Sequence, residues 1–328
     1  MGMIVVTGGA GFIGSALIWE LNQQARDNIL VVDELSEDDC WKNLVNLRFA
    51  DYMDKDEFVL QLEDGDLDSE VDGILHMGAC SSTTERDAGY LMFNNYEYTK
   101  RLARWSLEND KRFVYASSAA TYGDGSLGFE DDHEGLHRLK PLNGYGFSKY
   151  LFDLWAWRNK ALKSIAGLKY FNVFGPNEYH KEDMRSVVHK AYEQIQLTGK
   201  MKLFKSHLPD YQDGWQLRDF IYVKDVVAAT LVIYDNHKAN GIYNIGTGNA
   251  RSFYDLTVAV FQALDRKPDI EYIDMPETIR SKYQYFTQAE TKKLHRVYSE
   301  PMFSLEEAVA DYVKIYLMGP DAYLCADQ

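Results

Sequence analysis

Seven residues near the start of the chain, Gly8-Gly9-Ala10-Gly11-Phe12-Ile13-Gly14, narrow the possible folds more than any other stretch. Ahead of them, Met3-Ile4-Val5-Val6 is a short apolar run rich in β-branched residues, the pattern of a buried parallel strand. Behind them, Ala16, Leu17, Ile18 and Leu21 recur with helical spacing. A glycine-rich turn between such a strand and a helix can hold a dinucleotide pyrophosphate. The helix end offers free N–H groups and positive partial charge, and glycines let the backbone approach the phosphates. Ordinary turns also collect glycine. The next acid separates the two readings, because Ile29-Leu30-Val31-Val32-Asp33 reads as a second buried strand ending in a carboxylate, close to the spacing of a ribose-binding acid.

The chain has 328 residues, enough for one α/β domain with a smaller lobe and a large core. A formal charge of -15 argues against nucleic acid or an anionic membrane as partner, since both need a basic excess. Any phosphate site must be a local basic pocket. Cys40, Cys80 and Cys325 show neither C-x-x-C spacing nor a histidine pattern for zinc, so no metal is expected and a reduced, cytoplasmic location fits. The apolar N-terminus lacks a basic leader and is broken by glycines, which makes it the first βα unit rather than a signal sequence. No apolar run reaches the roughly 18 residues of a membrane helix.

The pattern beyond Asp33 predicts a doubly wound, Rossmann-like parallel sheet with a smaller, mostly C-terminal substrate lobe. Leu47-Arg48-Phe49-Ala50 is a further possible strand, in a region that would pass the adenine half of a cofactor. Lys42 and Lys55 are candidates there for an adenosine phosphate, or are plain surface lysines. Gly73 to Ala79 reads as a strand entering a small-residue turn, with His76 better explained as a packed histidine than a catalytic one. A helix is expected from Asn94-Asn95-Tyr96 through Leu107, then a strand over Phe113 to Ser118 that ends in two hydroxyls. Ala166 to Phe171, Asp219 to Val223 and Ile242 to Gly246 read as strands. Val187 to Leu197, Val226 to Tyr234, Tyr254 to Leu264 and Leu305 to Leu317 read as helices. Residues 1–172 are expected to form the dinucleotide-binding domain and 173–328 mainly the substrate lobe, with segments near 219–248 returning to the first.

Tyr145 and Lys149 lie four residues apart at a helix start, so both project from one face. A tyrosine phenol titrates too high to act as a base at neutral pH, but a neighbouring ammonium and an oxidised nicotinamide both favour the phenolate. Tyr145 could then take the proton of an alcohol whose carbon gives up hydride. Ser118, at the end of the preceding strand, would hydrogen-bond the same oxygen. Tyr-x-x-x-Lys alone is a common accident; its place downstream of a dinucleotide turn and a Ser-ended strand gives it weight.

Gly8-x-x-Gly11-x-x-Gly14, Tyr145-x-x-x-Lys149 and Asn172-Val173-Phe174-Gly175-Pro176 resemble the extended short-chain dehydrogenase/reductase superfamily. More narrowly, His76-x-Gly-Ala-Cys-Ser-Ser-Thr-Thr-Glu85, Ala116-Ser-Ser-Ala-Ala-Thr-Tyr-Gly123, Glu178-x-His-Lys181 and Tyr283-Gln-x-Phe-Thr-Gln288 are similar to the ADP-L-glycero-D-manno-heptose 6-epimerase family. The resemblance implies a bound NADP, with NAD left open by Asp33 and Glu34, and inversion at C6'' of an ADP-heptose through a transient ketone. It implies Tyr145 and Lys181 as the proton-handling pair, Ser118 as hydroxyl donor and Lys149 as electrostatic partner of the tyrosine. It implies a cofactor site of Gly8, Gly11, Phe12, Ile13, Gly14, Asp33, Glu34, Lys42, Lys55, Met77, Gly78, Ala79, Cys80, Ser81, Asn94, Val173 and the catalytic Tyr145, Lys149 and Lys181. For the substrate it implies Ser118, Asn172, Asp183, His189, Phe204, Lys205, Ser206, Arg218 and Tyr283. A guanidinium such as Arg218 suits a diphosphate because it binds anionic oxygens in a fork, although the plainer readings of the residues alone are a salt bridge from Arg218 to Asp219 or another neighbour and a surface lysine at Lys181. A homo-oligomer, in this family a pentamer, is also implied.

The chain departs from the family pattern at Glu34, where asparagine is common, at Met77, at Glu182, where glycine is usual, and in a longer loop from His207 to Gln216. Glu182 is expected to raise the pKa of its neighbour Lys181. Three alternatives are weighed: another nucleotide-sugar epimerase, a 4,6-dehydratase and a cofactor-sensing binding protein. A 4,6-dehydratase would carry an acidic pair beside the catalytic hydroxyl, where this chain has Ala119-Ala120-Thr121 after Ser118. A cofactor-sensing protein without turnover has no need of Tyr145, Lys149 and Ser118 together.

Overall fold

The computed structural model describes residues 2–280 and 283–327. Seven parallel strands form the central sheet: β1 (Met3–Thr7), β2 (Ile29–Asp33), β3 (Asp51–Asp54), β4 (Val71–His76), β5 (Arg112–Ser118), β6 (Ala166–Tyr170) and β7 (Gly241–Ile245). Their order across the sheet is β7-β6-β5-β4-β1-β2-β3. This is the doubly wound α/β arrangement expected from the sequence. From β1 the chain runs outward to β3, then crosses to β4 on the other side, so a crevice opens beyond the carboxyl ends of β1 and β4.

Strand alternation sends side chains to two cores. Ile4, Val6, Ile29, Val31, Leu75 and Val114 face one side, together with α1 (Phe12–Gln23) and Ala166 and Leu168 of β6. Val5, Leu30, Val32, Ile74, Phe113 and Tyr115 face the other. There they meet α2 (Lys55–Asp64), α3 (Tyr98–Glu108) and α4 (Gly144–Arg158). The first core continues into the C-terminal elements: α5 (Val187–Thr198), α6 (Val223–Asp235), α7 (Phe253–Ala263) and α8 (Leu305–Asp311) all contribute buried residues to it. A small parallel pair, Met201–Phe204 with Ile270–Ile273, lies beside α5 and α7.

Three elements differ from the sequence expectation. The strand expected at Leu47 to Ala50 sits four residues later, Asp51 pairing with Leu30 and Asp54 with Asp33. As a four-residue edge strand, β3 half-buries only Tyr52 and Met53 between two exposed acids, so no apolar run marks it, while Leu47 is buried as part of a turn. The helix expected from Asn94 begins at Ala88 under an Asp87 cap and passes through a π-helical turn, Met92–Glu97. The last helix likewise changes to a π-helical turn at Tyr312–Leu317.

The opposite sheet edge is closed by side chains. On β7 the Ile242 N–H donates to His133 Nε2 at 2.9 Å, the Asn244 N–H to Asp131 at 3.0 Å, and the Ile242 carbonyl accepts from Lys293 at 2.6 Å. An unpaired edge invites another chain, and these three groups occupy its outward-facing donors and acceptor.

Candidate active site

The glycine turn is a cradle that no other residue could form. Gly8 has φ +65, and a Cβ there would lie 2.5 Å from the Gly78 Cα at the end of β4. A Cβ on Gly14 would lie 2.0 Å from the Gly8 carbonyl oxygen. Backbone therefore reaches the crevice where side chains would block it. Helix α1 starts at Phe12 with Gly11 as N-cap, no side-chain cap and no acid in its first turn, which leaves its positive end directed at the crevice. Asp33 closes β2 beside it, accepting from the Ala10 N–H at 2.8 Å. Burial raises the Asp33 pKa, opposed by the N–H groups of Glu34 and Ala10. These residues fit a dinucleotide: pyrophosphate against the turn, ribose hydroxyls against Asp33.

From this cradle a cleft of about 720 Å³ runs past Met77, Ser118, Tyr145, Lys149, Asn172 and Lys181. A second compartment of about 340 Å³ shares Gly8, Asp33 and Gly78 with it and extends over Glu34, Lys55 and Asn94. Gly11, Phe12, Ile13, Gly14, Ala79, Cys80, Ser81 and Val173 also line the larger cleft.

Tyr145 is set by helix α4, whose Asn143 cap accepts from the Gly146 N–H at 2.7 Å. Ser118 ends β5, its hydroxyl accepting from the Ala120 N–H at 3.1 Å, and lines the cleft with Tyr145. One helical turn on, the Lys149 ammonium donates to the Ala116 carbonyl at 2.8 Å. Burial lowers the Lys149 pKa to about 8, opposed chiefly by Asp153. Asp153, fully buried, accepts from Tyr115 at 2.9 Å and Ser117 at 2.8 Å and lies 3.7 Å from Lys169. The Tyr145 phenol departs from the expected lowering: burial raises its pKa and the Ser118 hydrogen bond works against that.

Lys181 enters from the opposite wall, on the 3-10 turn Tyr179–Met184, with its ammonium 5.3 Å from the centre of the Phe12 ring. Burial lowers its pKa, and Glu178 is the carboxylate that opposes the shift. The expected partner, Glu182, plays no part in it. The backbone turns sharply at Glu182, with φ 45 and ψ -121, so the neighbour in sequence is not the neighbour in charge. Glu178 is buried and held by Ser186, whose hydroxyl donates to it at 2.6 Å.

Residues 4–246 match the family described as NAD dependent epimerase/dehydratase. The chain belongs to that family. Within it, an ADP-L-glycero-D-manno-heptose-6-epimerase of Nitratidesulfovibrio vulgaris is 56% identical over 323 residues, covering 98% of this chain and 100% of the relative. One from Fusobacterium nucleatum is 48% identical over 335 residues, with coverage of 98% and 100%. The crystal structure of the Helicobacter pylori ADP-L-glycero-D-manno-heptose-6-epimerase is similar at 28% identity with a TM-score of 0.79, covering 95% of each chain.

Other residues expected at an epimerase/dehydratase site fall outside the two compartments. Lys42 pairs with Asp39 at 2.8 Å on the surface and does not line the adenosine end. Asp183 is exposed, its carbonyl accepting from Lys190 at 2.6 Å. His189 is buried against Tyr179 and Tyr312, with its pKa lowered to about 4 by burial, so at neutral pH it makes no salt bridge to Glu193. Phe204 meets the Tyr283 ring edge-on at 6.4 Å, Lys205 pairs with Asp274 at 3.4 Å and the Ser206 N–H donates to Asp213 at 2.7 Å. Arg218 lies between the Phe253 and Tyr283 rings, 5.6 and 5.2 Å from their centres. It donates to the Leu217 and Gln284 carbonyls at 2.8 and 2.5 Å, not to Asp219.

Asp219 was missed as a structural anchor. Its carboxylate accepts from the N–H groups of Thr247 (2.8 Å), Gly248 (2.9 Å) and Ala289 (2.9 Å), fastening the segment after Tyr283 beside Arg218. Asn43 and Asn177 were missed too. The Asn43 amide donates to the carbonyls of Ala10 at 2.8 Å and Asn177 at 3.1 Å, tying the glycine turn to the Lys181 wall. Nothing in their spacing marks these residues, whose roles depend on contacts far apart in sequence. His76 is the packed histidine expected, hydrogen-bonded to Thr7 and Thr99.

Proposed function

We propose that the chain interconverts ADP-D-glycero-D-manno-heptose and ADP-L-glycero-D-manno-heptose by inverting C6''. The observation that carries this reading is the cleft itself: Tyr145 with Ser118 on one wall, Lys181 on the other, and the glycine cradle between them. The names and full-length similarity of the relatives support the substrate. In this reading residues 1–172 hold the cofactor and 173–328 mainly the sugar nucleotide. The protein works in the cytoplasm as a homo-oligomer, a pentamer, which mass in solution tests.

A nicotinamide dinucleotide in the cradle supplies reversible hydride acceptance, so oxidation and reduction cancel and no external oxidant is needed. Tyr145 takes the hydroxyl proton as the carbinol is oxidised. Ser118 holds the same oxygen, fixing its distance from the phenol. Lys149 contributes positive charge one turn away on the same helix. After the C6'' group reorients, Lys181 returns a proton from the other wall. Arg218, moved off its carbonyl partners, would take the diphosphate. No described helix is long and apolar enough to cross a membrane.

The decisive experiment incubates the protein with ADP-D-glycero-D-manno-heptose and follows C6'' stereochemistry by NMR. Formation of the L-glycero epimer is expected. Failure there, with another nucleotide sugar epimerised instead, would overturn the substrate assignment.

A further inference from the structure

We propose that Glu34 sets the cofactor choice of this chain, occupying Lys55 so that the adenosine end accepts a ribose with a free 2′-hydroxyl and rejects a 2′-phosphate. The proposal rests on the reading of the cleft as a dinucleotide site and opposes the NADP that the family resemblance implies.

The geometry is that of the smaller compartment. Its acids are Asp33, Glu34 and Asp38, and among the described residues lining it Lys55 is the one lysine or arginine. Lys55 is already engaged: its ammonium forms an ion pair with the Glu34 carboxylate and donates to Asn94 Oδ1 at 3.1 Å. Lys42, the other cation expected here, pairs with Asp39 on the surface and is not among the residues lining the compartment. Three carboxylates against one ammonium leave a net -2 at the compartment wall. A phosphate would bring about -1.5 to -2 more, against like charge and with no unpaired cation to meet it.

A hydroxyl pair meets the opposite situation. Each Asp33 oxygen accepts one backbone N–H, from Ala10 at 2.8 Å and from Glu34 at 2.9 Å, which aims the carboxylate and leaves lone pairs free for donors. Ribose hydroxyls donate; a 2′-phosphate does not. Glu34 thus acts twice, adding negative charge and removing the positive charge a phosphate needs.

The test measures binding rather than turnover. Protein stripped of nucleotide is titrated calorimetrically with NAD and with NADP, for the parent chain and for Glu34→Gln, which keeps length but frees Lys55. The parent should bind NAD at least about tenfold more tightly than NADP, a gap of about 1.4 kcal/mol. In Glu34→Gln the NADP affinity should rise about tenfold with NAD affinity changed less than about threefold. Equal or tighter NADP binding by the parent, or a Glu34→Gln variant with the same ratio of affinities, overturns the proposal while leaving the dinucleotide site standing. Binding of neither nucleotide by folded protein overturns both.

Discussion

His133 should make the protein measurably less stable in mild acid, through one hydrogen bond at the sheet edge. Its Nε2 accepts the Ile242 N–H at 2.9 Å, which only the neutral ring can do. Burial and the nearby Lys293 lower its pKa from 6.5 to about 4. The unfolded chain therefore takes up this proton near pH 6.5 and the folded chain only near 4, so the contribution is complete above the first value and lost as pH falls toward the second. Between pH 7.5 and 5 the ceiling is about 2 kcal/mol, and partial exposure of the ring cuts this to about 1 kcal/mol. Glutamine is the control, since its side-chain oxygen can accept the same N–H without titrating.

Urea unfolding of the parent and of His133→Gln at both pH values reads the difference directly. The parent should lose about 1 kcal/mol more than the variant on acidification. Other titrating groups, His189 and Asp225 among them, are shared by both proteins and cancel in the comparison. Equal losses in the two proteins would show that the His133 ring carries no such linkage and that the edge is closed by Asp131 and Lys293 alone.

Two more substitutions address the site. Glu182 holds a backbone conformation suited to glycine, and Glu182→Gly should stabilise the fold by about 1 kcal/mol in the same urea assay; a loss of stability would mean that the side chain outweighs the strain. Tyr145→Phe should leave unfolding and nucleotide binding unchanged and reduce turnover by roughly 10² to 10⁴, while near-parental turnover would remove the phenol from the proton transfers.

What could be read before the structure was whatever local spacing encodes. The glycine turn, the Asp33 strand end and the Tyr145–Lys149 face each depend on residues a few positions apart, and each lies in one strand, turn or helix. Charge partnerships were not legible in this way. Lys181 was assigned to Glu182 by adjacency, yet the reversal at Glu182 leaves Glu178 as its partner. For Arg218 a salt bridge to Asp219 was the plainer reading of the residues alone, yet adjacent residues of an extended chain point apart, and they turn to different loops. Strand β3 escaped because only Tyr52 and Met53, each half-buried against one of the two cores, mark it between two exposed acids, too short a run to show an alternation.

The two lysines at the cleft share one electrostatic construction, and it suits a reaction that must be served from both faces. Lys149 and Lys181 are each lowered by burial, and in each a single buried carboxylate offsets the loss, Asp153 for the first and Glu178 for the second. Neither carboxylate is free to act on a ligand, since Asp153 is held by Tyr115 and Ser117 and Glu178 by Ser186. Each anion therefore works at fixed position, opposing the lowering that burial imposes on its lysine. In the proposed inversion the first ammonium supports the phenol and the second meets the oxygen after rotation. A one-sided dehydrogenase would need only the first. Lys181, carried on a different segment tied to the glycine turn through Asn43 and Asn177, is in this proposal the group that returns a proton from the opposite wall.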